Sequence, residues 1–512
     1  MTPEQPIPLP ESESPDYRRA KLAQWRQAGI DPYPYQYDRT HLGREVAEGF
    51  AQLEGAKVRV AGRIVSWRAH GKSTFFHILD GSGQIQCYAK TDILGPEAYA
   101  RLDWLDIGDF VGVSGTVFRT RTGEVTVNAS ELSPLSKALR ALPAKWHGLV
   151  DKELRYRRRY LDLIANAEVR ELFVTRARIL SRVRAFLDAR GFLEVETPVL
   201  QPIYGGAAAR PFVTHHNALG AEFYLRIADE LYLKRLIVGG YEKVYEVCKD
   251  FRNEGIDRDH NPEFTMIELY AAYADYRDIM TLLRELVIDV ATVARGEPTI
   301  VYDGKTIDLT APWQEVPLLD AIRQGTGLDL SDTDATRARA QARSIGVEIP
   351  DDASYGKVVD EVFSQRVQPG LIEPTFMTDY PEEISPLAKK HRSKPGLVER
   401  FELFIAKKEV GNAFSELNDP DDQRARFLAM AEAARRGDDE AHRLDEDFLL
   451  ALEHGMPPTG GLGFGLDRLV MVLAGAPSIR EVILFPTLRP LPVAETDATA
   501  PGPGDIESPL AG

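Results

Sequence analysis

Between residues 57 and 136 the chain alternates apolar and polar positions with a period of two, in short runs. KVRVAGRIVS, STFFHILD, GQIQCYAK, DFVGVSGTVFR and GEVTVNAS are separated by Gly, Ser and Asp turns, as half-buried strands joined by tight connections would be. The stretch between Thr91 and Leu105 breaks that period and predicts a short inserted helix. Five strands with one such helix predict a small barrel of the OB type, whose face commonly binds oligonucleotides.

Further along, the period changes. Val169, Leu172, Phe173, Leu180, Val183 and Leu187 fall on one helical stripe, arginines cover the rest, and Gly191 supplies a stop, so a helix is expected over 168–190. Beyond it FLEVETPVL, FYLRIA, KVYEVCKDF, FTMIELY, FELFIAKKEV and NAFSEL read as strands. They mix with helical stretches without regular βαβ alternation, which predicts an α+β fold on a mixed, mainly antiparallel sheet flanked by helices. The expected organisation is a loose segment 1–16, a helical extension 17–56, the barrel 57–136, a basic hinge 137–160, a large domain 161–490 and a loose tail 491–512. Within the large domain, 278–370 reads as a more helical insertion. Neither terminal segment has a periodic apolar pattern to bury.

The length of 512 residues, 44% of them hydrophobic, suggests about three domains with real cores. With 62 basic and 78 acidic residues the formal charge is −16. That argues against a generally basic coat for nucleic acid but leaves local patches open. One such patch is 137–160, with eight Lys/Arg against Asp151 and Glu153. It reads either as a solvated linker helix or as a phosphate-contacting hinge. No apolar run approaches the roughly 18 residues of a membrane span, and MTPEQPIPLPESESP has neither the basic start nor the apolar stretch of a signal peptide. Cys87 and Cys248 lie far apart in strand-like segments. Two buried free thiols in a reducing cytoplasm are expected, a single disulfide being the alternative, and a Cys/His zinc site is excluded.

Candidate chemistry is confined to a few segments. HGKST at 70–74 hints at a phosphate loop, but position 66 is Ser rather than Gly and a strand follows, so a hairpin turn is predicted. GGLGFGLDRLVMVLAG reads as a flexible strand feeding a helix near Leu466, with Arg468 in its first turn. That is a place for an anion, or for an ion pair with a neighbouring carboxylate. In HNPEFTMIELY, alternation puts Phe264, Met266, Glu268 and Tyr270 on one face, either a pocket floor or a mixed sheet edge. Asn412, Phe414 and Glu416 alternate likewise, with Glu402 and Glu409 upstream. Acids gathered in one sheet need cations, supplied by structural Lys/Arg or by a divalent metal with a cationic ligand. Oxygen-only donors favour Mg²⁺ over zinc.

Taken in order from about residue 17 to 490, these segments resemble the bacterial class II lysyl-tRNA synthetases. GFLEVETPVL with Pro198 resembles motif 1, FRNEG through HNPEF motif 2, and GLGFGLDR motif 3. YGGAAARPFVTHHNAL, EFTMIELYAAYADY, EPTFMTDYP and GNAFSELNDP are similar to stretches of the lysine subgroup, and the class I signatures HIGH and KMSKS are absent. The resemblance implies ATP-dependent ligation of L-lysine to tRNA(Lys) by a cytoplasmic homodimer formed through motif 1. It implies that Arg252 bridges the α-phosphate and the lysine carboxylate, that Glu254, His260 and Asn261 meet the nucleotide, and that Phe264 stacks under adenine with Arg468 on the other side. Glu402 and Glu409 would hold Mg²⁺, with no zinc. Gly206 and Glu230 would take the α-ammonium, Asn412 the carboxylate, Tyr270 and Glu416 the ε-ammonium, with Glu268 deepening the pocket and Phe414 packing on the stem. On the barrel, Phe75 would stack an anticodon base while Arg68, Gln86 and Glu124 read edges. Ala413, Cys248 and Lys249 depart from the usual pattern. Three rivals are weaker: an aspartyl- or asparaginyl-type ligase wants a cationic pocket, protein-modifying paralogues resemble only the catalytic half, and a regulator without catalysis should have lost Arg252, Arg468 or a metal carboxylate.

Overall fold

The period-two runs close into a barrel. Its strands are Lys57–His70, Ser73–Leu79, Gln84–Lys90, Phe110–Arg119 and Val125–Ser136, in spatial order first, second, third, fifth, fourth, the fourth returning to the first. The third and fifth pair in parallel and the other neighbours antiparallel. These details come from a computed structural model that describes residues 14–142, 149–302, 304–435 and 444–490. Residues 1–13, Lys145 of the basic hinge and the tail from 491 lie outside the described residues. The chain divides into two units, residues 1–150 and 151–512.

In the first unit, Thr74, Phe76 and Ile78 point into the barrel while Phe75 and His77 face outward. HGKST is a hairpin turn, as its following strand predicts: His70 pairs with Ser73 and Gly71 adopts φ +59°, the left-handed conformation a two-residue reversal demands. The helix expected after Thr91 forms in two pieces, Thr91–Leu94 and Pro96–Ala100, followed by a 3₁₀ turn. Lys137, from the basic stretch, is buried between Asp106 and Asp109.

In the second unit, Arg155 and Arg159 meet the buried Asp162 at 2.9 and 2.6 Å, and Arg157 meets Glu153 at 2.8 Å. Much of the hinge's positive charge is thus neutralised by structural ion pairs, and Arg140, Lys152 and Arg158 are the exposed remainder among its described residues. The predicted helix runs over Ala167–Asp188, with Ile179 and Phe186 joining the expected stripe.

The sheet of this unit has eight strands, in order Gln314–Pro317, Thr375–Thr378, Arg400–Ile405, Lys408–Ser415, Thr459–Gly465, Glu263–Ala272, Lys243–Phe251 and Leu193–Glu194. Only the two outermost pairs are parallel, so the sheet is mainly antiparallel, as expected. The stretch 278–370 does not leave it altogether, because Gln314–Pro317 forms an edge strand. One face is apolar: Ile267, Leu269, Phe401, Leu403, Ala413, Leu462 and Phe464 pack against the helices Ala167–Asp188, Tyr276–Arg295 and Leu466–Ala474. The other face carries the polar residues of the site. Both cysteines are free and buried. Among the described residues no helix is long and apolar enough to cross a membrane.

The two neighbouring phenylalanines give the barrel a direct check. Phe76 is fully buried and stacked on Trp67 at 5.2 Å, so Phe76→Ala is expected to cost about 3–5 kcal/mol in urea unfolding of the full chain. Phe75→Ala should cost clearly less, and equal losses would refute the assigned faces.

Candidate active site

The polar face of the large sheet opens on a cavity of about 390 Å³. Alternation along Glu263–Ala272 delivers Phe264, Met266, Glu268 and Tyr270 to it, while Ile267 and Leu269 stay in the core behind. Asn412, Phe414 and Glu416 line it from the neighbouring segment. Between these two rows runs the glycine-rich strand, with Gly461 opposite both Tyr270 and Phe414. A Cβ on Gly461 would lie 1.8 Å from Glu416 Oε1 and 2.6 Å from Tyr270 Cε1. The glycines therefore form a thin strip of sheet over which two large polar side chains meet, rather than a phosphate loop.

Glu409 reaches this face by a break in the ladder. Glu402 pairs with Asn412, but a bulge after Leu403 shifts the register so that Phe404 faces Glu409. Lying three residues before Asn412, Glu409 would point into the core without it; the extra residue restores the parity. Glu402 does not line the cavity. Its Oε1 accepts from Arg400 Nη2 at 2.6 Å and its Oε2 from the Tyr380 hydroxyl at 2.8 Å. Burial first, and then the neighbouring Glu409 charge, push Glu402 up to about 7. Arg400 Nε also donates to Asn412 Oδ1 at 3.1 Å. A largely buried Glu402 and a half-exposed Glu409 close enough to raise it offer oxygen donors only, the kind a hard divalent cation such as Mg²⁺ takes.

At the deep end the decisive group is one that periodicity did not single out. Lys234 is fully buried, with its ammonium 2.5 Å from Glu230 Oε1, in contact with Glu416, and 5.4 Å from the centre of the Phe414 ring. Burial pulls its pKa down, but the two carboxylates outweigh that and the net shift is upward. One ammonium cannot balance two buried carboxylates, so Glu416 is pushed up to about 8, by burial and by Glu230. Glu230 and Glu268 are likewise raised, chiefly by burial. The Tyr270 hydroxyl donates to Glu268 Oε2 at 3.1 Å, and Gly206, at φ +89°, lies with its backbone beside Glu230. The only sequence signal for Lys234 was its i, i+4 spacing from Glu230 on the helix Glu230–Val238.

Toward the mouth, the Arg252 guanidinium lies 5.2 Å from the Phe264 ring centre. Arg468 Nη1 donates to Glu409 Oε2 at 3.1 Å and Nη2 sits 3.0 Å from His260 Nε2. Of the two readings of this arginine, the ion pair with a carboxylate is the one present, and the side chain also lines the cavity. His260 is turned by Asp257, 2.8 Å from its Nδ1. Asn261 lines the wall but its amide is engaged with backbone, donating to the Glu263 carbonyl at 2.6 Å and accepting from the Thr487 N–H at 3.2 Å. Glu254 is exposed at the rim.

The outer face of the barrel gathers the other set. Arg68 stands across from Phe75, which packs on Tyr88 at 4.5 Å, and Tyr88 on Phe118 at 6.2 Å. Gln86 Nε2 donates to Glu124 Oε2 at 2.6 Å, and the other oxygen of Glu124 is 2.7 Å from His77 Nε2. Tyr88, Phe118 and His77 were not singled out in the sequence, although the same alternation places Tyr88 and His77 on this face.

The family model for class II tRNA synthetases (D, K and N) matches residues 151–489, and that for the OB-fold nucleic acid binding domain matches 58–135. The chain is 55% identical over 474 residues to a lysine–tRNA ligase of Carboxydothermus hydrogenoformans, covering 92% of this chain and 97% of that protein. To the lysine–tRNA ligase of Pelotomaculum thermopropionicum it is 56% identical over 477 residues, covering 92% and 94%. To that of Moorella thermoacetica it is 56% identical over 474 residues, covering 92% and 97%.

Removing the ammonium that both carboxylates contact should be costly. Lys234→Met leaves Glu230 and Glu416 facing each other in a buried place, and a loss of about 3–5 kcal/mol is expected in urea unfolding. Unchanged stability would mean that the two carboxylates do not depend on this ammonium.

Proposed function

This chain belongs to the class II tRNA synthetases, among the lysine–tRNA ligases, and from that premise we propose how its side chains divide the work. The reaction is ATP-dependent ligation of L-lysine to tRNA(Lys) through lysyl-adenylate, with release of pyrophosphate and AMP. One observation carries the assignment of the amino-acid site: a buried end lined by Glu230, Glu268 and Glu416 with Lys234 as the cation between two of them. A carboxylate substrate would be repelled there, whereas the two ammonium groups of lysine supply the missing charge. Glu230 with Gly206 takes the α-ammonium, and Glu416 with Tyr270 the ε-ammonium. Glu268 adds charge, Phe414 covers the stem, and Asn412, oriented by Arg400, faces the carboxylate.

The chemistry is then a matter of position and charge. A lysine carboxylate oxygen attacks the α-phosphorus in line and pyrophosphate leaves. The 3′-hydroxyl of the terminal adenosine then attacks the acyl carbon and AMP leaves. The attacking carboxylate is already ionised, so the first step needs no side-chain base. Arg252 spans carboxylate and α-phosphate, Phe264 and Arg468 enclose the adenine, and Glu254, His260 and Asn261 form the wall beside it. Charge accumulating on phosphorus is met by the two arginines. Glu402 and Glu409 are the residues that would hold Mg²⁺, which supplies charge neutralisation along the phosphates. On the barrel, Phe75 offers a stacking surface to an unpaired base and Arg68, Gln86 and Glu124 offer hydrogen-bonding edges to the anticodon. We place the protein in the cytoplasm as a homodimer. Exposed Leu193, Val199, Leu200 and Val213 around the motif 1 segment support that pairing.

Pyrophosphate–ATP exchange, run without tRNA, tests the activation step. Exchange is expected with lysine and not with aspartate or asparagine, and Arg252→Ala should abolish it; near-parent exchange in that variant would remove Arg252 from the reaction centre. Recognition of lysine is tested by pH. With the Glu416 carboxyl at about 8 in the empty pocket, lysine must bind with release of a proton. KM for lysine is therefore expected to fall as pH rises from about 6 to 7.5, before the α-ammonium that Glu230 takes begins to lose its proton. Glu416→Gln should raise KM and flatten that dependence. A parent KM independent of pH would assign the ammonium to another group.

A further inference from the structure

Beside the pocket floor, on the adjoining strand, lies a second set of polar side chains that adenylate formation does not use. The pairing of Glu246 with Glu268, Cys248 with Met266 and Asp250 with Phe264 puts all of them on the same face of the sheet. Asp229, immediately before the helix Glu230–Val238, closes over them. Cys248 Sγ is 3.5 Å from Asp229 Oδ1 and 3.8 Å from Asp250 Oδ2, and one donor atom from each of the three residues lies within 4.8 Å of the others. None of the three is more than 1% exposed.

With the thiol protonated these are S–H···O contacts, joined by one of 3.5 Å to the Met266 carbonyl; the same spacing also suits a cation held by the thiolate. Bonds of about 2.3 Å to sulfur and about 2.0 Å to oxygen give a tetrahedral site S···O edges of about 3.5 Å. Two further carboxylate oxygens, Asp229 Oδ2 and Asp250 Oδ1, are buried and accept no hydrogen bond. Arg226 Nε stands 3.5 Å from Asp250 Oδ1 but donates to the Lys249 carbonyl at 2.9 Å, and Nη1 to Glu246 at 2.6 Å. Burial, with Asp250 and Glu246 close by, raises Asp229, and burial pushes Asp250 up to about 6 against the opposing pull of Arg252 and Arg226. The carboxyl of Glu268 also contacts Asp229, so a fourth donor is at hand.

We propose that Asp229, Cys248 and Asp250 form a buried site for Zn²⁺, with Glu268 in reach as the fourth donor. A borderline-soft ion suits one thiolate among carboxylates in a four-coordinate cage, whereas Mg²⁺ prefers six oxygens and keeps its waters. Binding displaces the thiol proton, so the ion replaces a strained cluster of acids by a neutralised one directly beside Glu268. The exclusion of zinc from the sequence rested on there being only two cysteines and no Cys/His spacing; the fold supplies aspartates from two other segments instead.

The test uses the full chain, purified without added metal and dialysed exhaustively, with zinc measured by mass spectrometry and the site probed by adding Co²⁺ alone. About one zinc per chain and a thiolate-to-cobalt charge-transfer band are expected. Cys248→Ser should abolish the band and lower retained zinc at least tenfold, as should Asp250→Asn for the zinc. Cys87→Ser and Glu409→Gln should leave both unchanged, which separates this site from the other thiol and from the phosphate-side metal. Folding of each variant is checked by circular dichroism; if Cys248→Ser does not fold, the cobalt spectrum of the parent decides. No thiolate-to-cobalt band in the parent, or a band that survives Cys248→Ser, would overturn the proposal and leave the cluster neutralised by protons.

Discussion

The arrangement of the catalytic unit turns on one shared ammonium. Lys234 is the internal cation for Glu230 and Glu416, and it cannot balance both. In water such a mismatch is trivial. In a buried place it is worth several kcal/mol per uncompensated ion, so the empty pocket must take up protons or a cationic ligand. The raised Glu416 is the first response, and the binding of a dibasic amino acid is the second in the role proposed for this pocket. On the proposed assignment of this pocket, specificity for lysine follows from leaving a buried charge balance unfinished.

That balance needs a rigid frame, and the sheet provides one by keeping its two faces chemically separate. On the rear, Ile267, Leu269, Phe401, Leu403, Leu462 and Phe464 are buried against helices. On the front, the same strands present Phe264, Glu268, Tyr270, Asn412 and Phe414, and Glu416 follows just beyond the strand end. A one-residue slip would exchange the two sets. Two local devices adjust the front face. Gly461 leaves out a side chain where Glu416 and Tyr270 must meet, and the bulge after Leu403 turns Glu409 outward.

The barrel shows the same economy on a smaller scale. Phe76 and Phe75 are adjacent in sequence and opposite in role, one stacked inside on Trp67 and the other outside on Tyr88. The hinge that follows shows the reverse case. Its positive charge looks like a patch for phosphates, yet Lys137, Arg155, Arg157 and Arg159 are held by acids of their own chain. Local charge density in a sequence counts cations without knowing which carboxylates the fold will bring to them.

Much was legible in the residues themselves. Period-two runs marked the barrel strands, their turns marked the hairpin at Gly71, and the front faces of 264–270 and 412–416 followed from alternation, because strand geometry alone fixes which side chains share a face. The site residues that alternation could not place came from resemblance. What only the tertiary structure decided are the meetings between segments remote in sequence. Lys234 meets Glu416, Arg468 meets Glu409 and His260, and Cys248 meets Asp229. The physical reason is that periodicity reports orientation within one element, whereas the state of a buried charge depends on its distance to partners on other elements.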